Sequence, residues 1–177
     1  MNILNYFWIY LSINMNIGET EFQDYLGKHI KEINTINKGK LKHNTDLKRY
    51  SLFSEVGLEF YNKKYHNLTI STNGQDTIKE ITLFINGIID NTFYDNFNGS
   101  YGLPNSILVI DLEKDIKKSE VRFNNGLSST VKKQTISLKE GIFEEKPQTL
   151  TWNKNDYQIR FFFRYDIKMT IISFRSQ

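Results

Sequence analysis

The sequence of 177 residues contains no cysteine, no alanine and only two prolines. Without cysteine, the chain forms no disulfide and offers no thiol nucleophile, iron–sulfur cluster or cysteine-ligated zinc site. Without alanine, it lacks the residue with the highest helix propensity, whereas β-branched and aromatic residues, which favour strands, are abundant. The composition therefore shifts the expected fold towards β-structure. The missing cysteine fits a reducing, cytoplasmic location, although periplasmic proteins can also lack cysteine.

The sequence also lacks a concentration of positive charge. Its 23 Lys and Arg are scattered among 20 Asp and Glu, which leaves a formal net charge of +3. The electrostatic footprint of a nucleic-acid binder is therefore missing, and we expect no nucleic-acid partner. Hydrophobic residues make up 39% of the chain, which is enough for a core, and the length fits one domain. We place that domain at 15–177.

Residues 1–14 form a separate, apolar N-terminal extension. The apolar stretch 3–13 is shorter than the roughly 20 residues that cross a bilayer, and no basic region or cleavage site marks a signal peptide. It could be a buried strand, a weak membrane-surface anchor, or an upstream extension of a chain that starts at Met15. The residues after Met15 read as a complete start to a first helix, which favours the last interpretation.

Two segments of the chain predict helices. Thr20 and Gln23 match a capping box, and apolar residues then recur near helical spacing, which predicts a long helix over 20–34. A second, short helix is predicted over 113–124, where an Asp supplies the N-cap and a Gly the C-terminus. The polar segment 37–49 and the aromatic segment 90–106 show no periodicity and are predicted to be loops.

Alternation with a period of two predicts strands in the rest of the chain. The predicted strands are 56–60, 65–72, 78–85, 130–138, 148–153, 156–165 and 168–175, with 107–112 as a further candidate. In 156–165, Phe161 shares a face with other apolar residues, whereas Arg160 and Phe162 share the opposite face. The expected fold is α+β: a mainly antiparallel sheet of about six to seven strands, with helices covering one face.

No grouping of reactive side chains predicts catalysis or metal binding. His29, His43 and His66 stand at no metal-ligand spacing, and no nucleophile elbow or phosphate-binding loop occurs. The neighbouring carboxylates Glu144 and Glu145, like other acidic pairs, are interpreted as solvated charges. We therefore expect no catalytic residue, metal, cofactor or small-molecule substrate.

Two predicted loops combine aromatic and acidic residues and form the candidate partner-binding site. The candidate residues are Asp90, Phe93, Tyr94, Asp95, Phe97, Tyr101, Glu140, Phe143, Glu144 and Glu145. Protein interfaces draw much of their binding energy from a few aromatic anchors with charges at the rim. An acidic rim would attract a basic partner such as a nuclease toxin. The alternative interpretation is that these aromatic side chains fold back into the core.

A set of short motifs, spread from about residue 20 to 175, resembles a family of small bacterial proteins, the pyocin or colicin-type immunity proteins. The motifs are Leu26-Gly27-Lys28, Val56-Gly57-Leu58-Glu59-Phe60, Ile78-Lys79-Glu80-Ile81-Thr82-Leu83, Leu103-Pro104, Tyr165-Asp166 and Ile172-Ser173-Phe174. The family usually follows its second helix with a Gly-x-Pro turn, whereas Asn125-Gly126-Leu127-Ser128 contains no proline. Residues 1–14 have no counterpart in the family.

The resemblance implies a cytoplasmic, non-catalytic immunity protein that binds and occludes a cognate bacterial toxin domain. Immunity to a pore-forming toxin usually requires a membrane-embedded protein, so the partner would be an enzymatic toxin. The resemblance assigns no functional residue. The alternative from another class is an envelope-associated structural domain that residues 1–14 tether to a membrane.

Overall fold

The computed structural model describes residues 21–35, 40–44, 49–112, 117–122 and 130–177. The strands in these ranges are β1 (Lys40–Asn44), β2 (Arg49–Phe60), β3 (Lys63–Thr72), β4 (Ile78–Asn86), β5 (Ser106–Ile110), β6 (Lys117–Arg122), β7 (Thr130–Thr135), β8 (Leu138–Glu140), β9 (Thr149–Asn153), β10 (Tyr157–Arg164) and β11 (Met169–Ser176). Nine of them form one antiparallel sheet in the order β1-β2-β3-β4-β11-β10-β9-β5-β8. β6 and β7 pair separately.

The register of the strands collects the apolar residues on one face of the sheet. Residues directly opposite on antiparallel neighbours point to the same face, and successive residues along a strand point to opposite faces. One such row crosses six strands and is completely buried. Its members, in sheet order, are Leu52, Leu68, Leu83, Ile172, Phe161 and Leu150. This covered face forms the base of the core.

Within the described ranges, a single α-helix, α1 (Asn91–Tyr101), packs on the covered face. The Asp90 carboxylate caps its start by accepting a hydrogen bond from the Phe93 N–H at 2.9 Å. Phe93 and Phe97, four residues apart, lie on the side that meets the sheet, and Phe97 packs against Trp152 and Phe161 with ring centroids 5.0 and 4.7 Å apart. An aromatic core therefore joins the helix to the sheet.

The predicted loop at 90–106 is wrong because most of this segment is α1. The aromatic residues Phe93, Phe97 and Tyr101 recur every four residues, which places them on one face of a helix. Asp90 supplies the N-cap, and the helix ends at Gly102, whose φ of 73° suits a residue without a side chain. In the sequence, only the four-residue spacing of these aromatic residues indicates the helix α1.

The predicted long helix at 20–34 is also wrong. The segment contains two short 3₁₀ helices, Phe22–Tyr25 and Ile30–Thr35, and Gly27 between them has a φ of 82°. The backbone there bonds to the start of β4: the Gly27 N–H donates to the Ile78 carbonyl at 2.9 Å, and the Ile78 N–H donates to the Lys28 carbonyl at 2.8 Å. These bonds compete with helical ones, while Phe22 fills the core beside Phe174. Thr20 lies outside the described residues.

The remaining helix and loop predictions need two further corrections. Residues 117–122, predicted as part of a helix over 113–124, form β6 and pair with β7. Residues 40–44, predicted as part of a loop over 37–49, form β1 at the edge of the sheet. The predicted α+β fold with a long N-terminal helix is therefore wrong: in the described residues, the protein is mostly antiparallel sheet with one short α-helix.

The N-terminal extension, residues 1–14, and the predicted domain boundary at Met15 lie outside the described residues. Of the helices that the structure describes, none has the length and apolar character needed to cross a membrane.

We predict that Phe97→Ala lowers the free energy of unfolding by about 3–5 kcal/mol, because it leaves a cavity at the centre of the aromatic core. Urea denaturation followed by circular dichroism would measure the change. Phe162→Ala, on the opposite face of the sheet, is the matched control and should change the free energy by no more than about 1 kcal/mol. Equal losses for the two variants would contradict the assignment of the core to the covered face.

Candidate functional site

Three of the predicted partner-binding residues lie in the core. Phe93, Phe97 and Tyr101 are buried between α1 and the sheet, so their side chains are not exposed to a partner in this structure. The Tyr101 hydroxyl donates a hydrogen bond to Gln23 Oε1 at 2.8 Å, and burial raises the pKa of this phenol. For these three residues, the alternative interpretation of aromatic side chains folded into the core applies.

Asp90 stabilises the start of α1. Besides capping Phe93, its carboxylate forms an ion pair with Lys63, with Nζ and Oδ2 2.6 Å apart. The hydrogen bond from Lys63, and after it the one from the Phe93 N–H, lowers the pKa of Asp90. The local structure thus gives this acid a role within the fold.

Two other predicted residues bring the two candidate segments together. Tyr94 on α1 stacks on Phe143, with ring centroids 4.1 Å apart and an angle of 5° between the planes. Both side chains are half-buried, and Asp95 and Glu144 beside them in sequence are exposed. We call Tyr94, Asp95, Phe143 and Glu144 the helix-side cluster. That this cluster contacts a partner stays a prediction.

The last two predicted acids hold the local backbone. Glu140 accepts hydrogen bonds from the Ser106 hydroxyl at 2.9 Å and from the Ile107 N–H at 3.2 Å. Glu145 accepts one from the Ile142 N–H at 3.2 Å, which closes the turn before β9. Both side chains are exposed, but each carboxylate is already engaged within its own part of the sheet edge.

The sheet face opposite α1, which we call the open face, carries an apolar row that is not among the predicted partner-binding residues. Phe162 lies opposite Ile171, Ile171 opposite Phe84, Phe84 opposite Asn67, and Asn67 opposite Phe53. Phe162 and Phe53 are 40% and 57% exposed, and Phe84 and Ile171 are half-buried. We call Phe84, Ile171 and Phe162, which lie on three adjacent strands, the apolar row.

Two polar rows run parallel to the apolar row on the same face. The nearer row contains Lys42, Ser51, Thr69, Thr82, Ser173, Arg160 and Thr151. The farther row contains Arg49, Ser71, Glu80, Arg175, Gln158 and Asn153. Arg160 Nη2 donates to Gln158 Oε1 at 3.1 Å, and Gln158 Nε2 donates to Asn153 Oδ1 at 2.7 Å, so Arg160 is held within a hydrogen-bonded chain.

The sequence alone indicates one part of the open face. Phe162 interrupts the polar half of the β10 alternation, between Arg160 and Arg164, but a single exposed apolar residue is common on protein surfaces and indicates a contact only as part of a larger patch. The sequence does not show that Phe162 aligns with Ile171 and Phe84, because that alignment depends on the register of three strands that are distant in the chain.

The described residues contain no group of three or more His, Asp or Glu side chains that could hold a metal ion. His66 Nδ1–H donates to the Ser54 carbonyl at 2.9 Å, and His29 Nδ1 accepts from the Lys31 N–H at 3.2 Å. An open cleft of about 410 Å³ lies near Asp24, Asp156 and Tyr157. Burial, and after it the charges of Asp24 and Glu21, raises the pKa of Tyr157.

Comparisons with known proteins give no relative. No family model matches the chain, and neither a curated protein nor a solved structure matches it. The functional argument therefore rests on the surfaces described above.

We predict that Asp90→Ala lowers the free energy of unfolding by about 1 kcal/mol near neutral pH, because α1 loses its N-cap. Asp90→Asn keeps a capping oxygen and should lose less. Since the pKa of Asp90 is lowered in the folded protein, its carboxylate contributes stability above its ordinary pKa of about 3.9, and that stability is lost as the pH falls further. The difference between Asp90→Ala and the unchanged protein should therefore shrink below about pH 4. Urea denaturation near neutral pH and below about pH 4 would measure this change. If the difference in the free energy of unfolding between Asp90→Ala and the unchanged protein is the same at the two pH values, the prediction is wrong.

Proposed function

We propose that this protein is a non-catalytic immunity protein that binds a bacterial toxin domain through the open face and occludes it. The observation that carries the proposal is the apolar row of Phe84, Ile171 and Phe162, aligned across three adjacent strands on the face opposite the core. The sequence resemblance to immunity proteins supplies the class of partner.

The apolar row has the composition expected of the centre of a protein interface. Aromatic residues and arginine are enriched in such centres, where a partner excludes water from them. Phe162, 40% exposed, lies within reach of Arg160 and Arg164 on the same strand and face. The hydroxyl-rich row beside it offers hydrogen-bonding groups for a polar rim.

The open face is also large enough for a stable complex. The nearer polar row extends over seven strands that lie about 4.8 Å apart, and three same-face rows cover about 20 Å along the strands, which gives roughly 600 Å². A standard protein interface buries about 800 Å² on each partner. The open face can therefore supply most of one side of such an interface.

The apolar row alone does not account for tight inhibition. Complete burial of one such side chain contributes about 1.5–3 kcal/mol, and these side chains are already partly buried. Nanomolar binding requires about 12 kcal/mol in addition to what offsets the lost freedom of the two proteins. The polar rows must therefore contribute directed hydrogen bonds and ion pairs. Occlusion then follows from surface complementarity, with one inhibitor bound to each toxin domain.

We predict that co-expression with the toxin domain encoded by the adjacent gene restores growth, and that the two purified proteins form a complex.

Phe162→Ala should weaken binding at least about tenfold, because it removes an anchor from the apolar row. Leu103→Ala is the matched control, since Leu103 is 77% exposed and follows α1, away from the open face; it should leave binding within about twofold. Isothermal titration calorimetry would measure both.

Tyr94→Ala separates the two candidate surfaces. If this variant weakens binding while Phe162→Ala does not, the helix-side cluster carries the interface and the role proposed for the open face is wrong. If the cells die although soluble protein is present, the immunity function itself is wrong.

A further inference from the structure

The charge on the open face is unbalanced. Its two polar rows carry the cationic side chains Lys42, Arg49, Arg160 and Arg175, all exposed, and a single carboxylate, Glu80, which lies directly opposite Arg175. A second carboxylate on this face, Glu140, lies at the far edge of the sheet, in line with Phe162 through Thr149 and Leu108. Within the part of the chain that the structure describes, none of the four cations forms an ion pair. The mild net charge of the whole chain thus conceals a concentration of positive charge on one face.

The arginine on the other side of the apolar row is different. Arg164 donates two hydrogen bonds to the Asp166 carboxylate, Nε to Oδ1 at 3.0 Å and Nη2 to Oδ2 at 2.8 Å. This pairing neutralises Arg164 and leaves its fork of donors occupied. The excess of cationic over acidic side chains therefore lies in the two polar rows, on the side of Arg160 and Arg175.

From this imbalance, and resting on the function proposed above, we infer that the toxin domain presents an acidic surface to the open face. Carboxylates of the partner lie opposite Arg160 and Arg175, and an apolar patch beside them covers Phe84, Ile171 and Phe162. Arginine pairs with carboxylates through two parallel hydrogen bonds, which provides both affinity and orientation. The partner's contact region is thus unlike the basic cleft of a nuclease that the acidic loops suggested.

A basic contact region on the toxin would be rejected by the same charges. Like charges placed opposite each other at an interface cost several kilocalories per mole and slow the encounter of the two proteins. For a toxin that binds nucleic acid through a basic cleft, the open face would have to contact another part of its surface. The inference therefore restricts both the partner and the site on the partner.

A protein fits the open face better than a single-stranded nucleic acid does. Nucleic acids stack successive bases on separate aromatic rings. In the apolar row, Ile171 stands between Phe84 and Phe162, so the rings do not adjoin, and Phe53 is two strands away from Phe84. A continuous aliphatic and aromatic strip is typical of the water-excluded centre of a protein interface.

Arg160 is prepared for this contact. Its hydrogen bond to Gln158, which is itself held by Asn153, restricts the guanidinium before the partner arrives. Restricting a long side chain in advance reduces the entropy lost on binding. Arg175 lies directly opposite Gln158 on the neighbouring strand, so the two arginines belong to one patch.

The test measures association with the purified toxin domain encoded by the adjacent gene, by stopped-flow fluorescence at about 50 mM and about 300 mM NaCl. Arg160→Gln combined with Arg175→Gln removes two charges while keeping polar side chains of similar reach. We expect the association rate constant to fall about tenfold at low salt and the salt dependence to become shallower. Arg160→Lys with Arg175→Lys keeps the charge and should recover most of the rate, while losing affinity because lysine forms no bidentate pair.

The matched control removes two charges from elsewhere. Lys31 and Lys139 are exposed, and neither lies on the open face: Lys31 belongs to the second 3₁₀ helix, and Lys139 lies opposite the buried Val109. Lys31→Gln with Lys139→Gln should leave the association rate constant within about twofold.

Each of three contrary results leads to a different conclusion. If the Arg160/Arg175 variant binds as fast as the unchanged protein or faster, the acidic partner surface is wrong, although the proposed function stands. If a fluorescein-labelled oligothymidylate of about 20 nucleotides binds at micromolar concentration and depends on Phe162, the open face is a nucleic-acid site and the inference fails. If the unchanged protein binds no toxin domain, the proposed function fails and the inference fails with it.

Discussion

The structure depends on the register between antiparallel strands. Because side chains alternate strictly along a strand, aligning Leu83 with Ile172 and Phe161 in the core also aligns Phe84 with Ile171 and Phe162 on the other face. A shift of one residue between any two of these strands would expose the core row and bury the arginines. The free energy of core packing thus fixes the arrangement of the open face, and the proposed binding surface is as well determined as the core beneath it.

The sequence predicted the parts of this fold that have a short-range signal. The strands at 148–153, 156–165 and 168–175 match β9, β10 and β11 closely, since alternation there is strong. The helices failed for two physical reasons. At the N-terminus, long-range backbone bonds from Gly27 and Lys28 to Ile78 replace helical ones. In α1, the aromatic residues carry the helical periodicity and also fill the core. The segment contains few strong helix formers, so its composition did not indicate a helix.

The candidate site could be predicted only in part, and for a related reason. The aromatic residues in 90–102 are unusual for a loop, but their helical spacing places Phe93, Phe97 and Tyr101 against the sheet. The stack of Tyr94 on Phe143 brings together two segments that the sequence treated as separate. The open face had a local sign in Phe162, whereas its width and its excess of cations arise from strands that are far apart in the chain. The cationic residues of the two polar rows are scattered in the sequence, and the alignment of six neighbouring strands, from β1 to β10 in sheet order, brings them onto one face.

One feature of the topology governs when this fold can form. β11 (Met169–Ser176) pairs with β4 on one side and with β10 on the other, so it connects the strands that precede α1 with those that follow it. It is also the last strand in chain order. During synthesis on the ribosome, the two groups of strands emerge without the element that joins them, and each exposes an unpaired edge. The nine-stranded sheet can therefore close only after β11 has emerged from the ribosome, and until then the nascent chain depends on protection from aggregation.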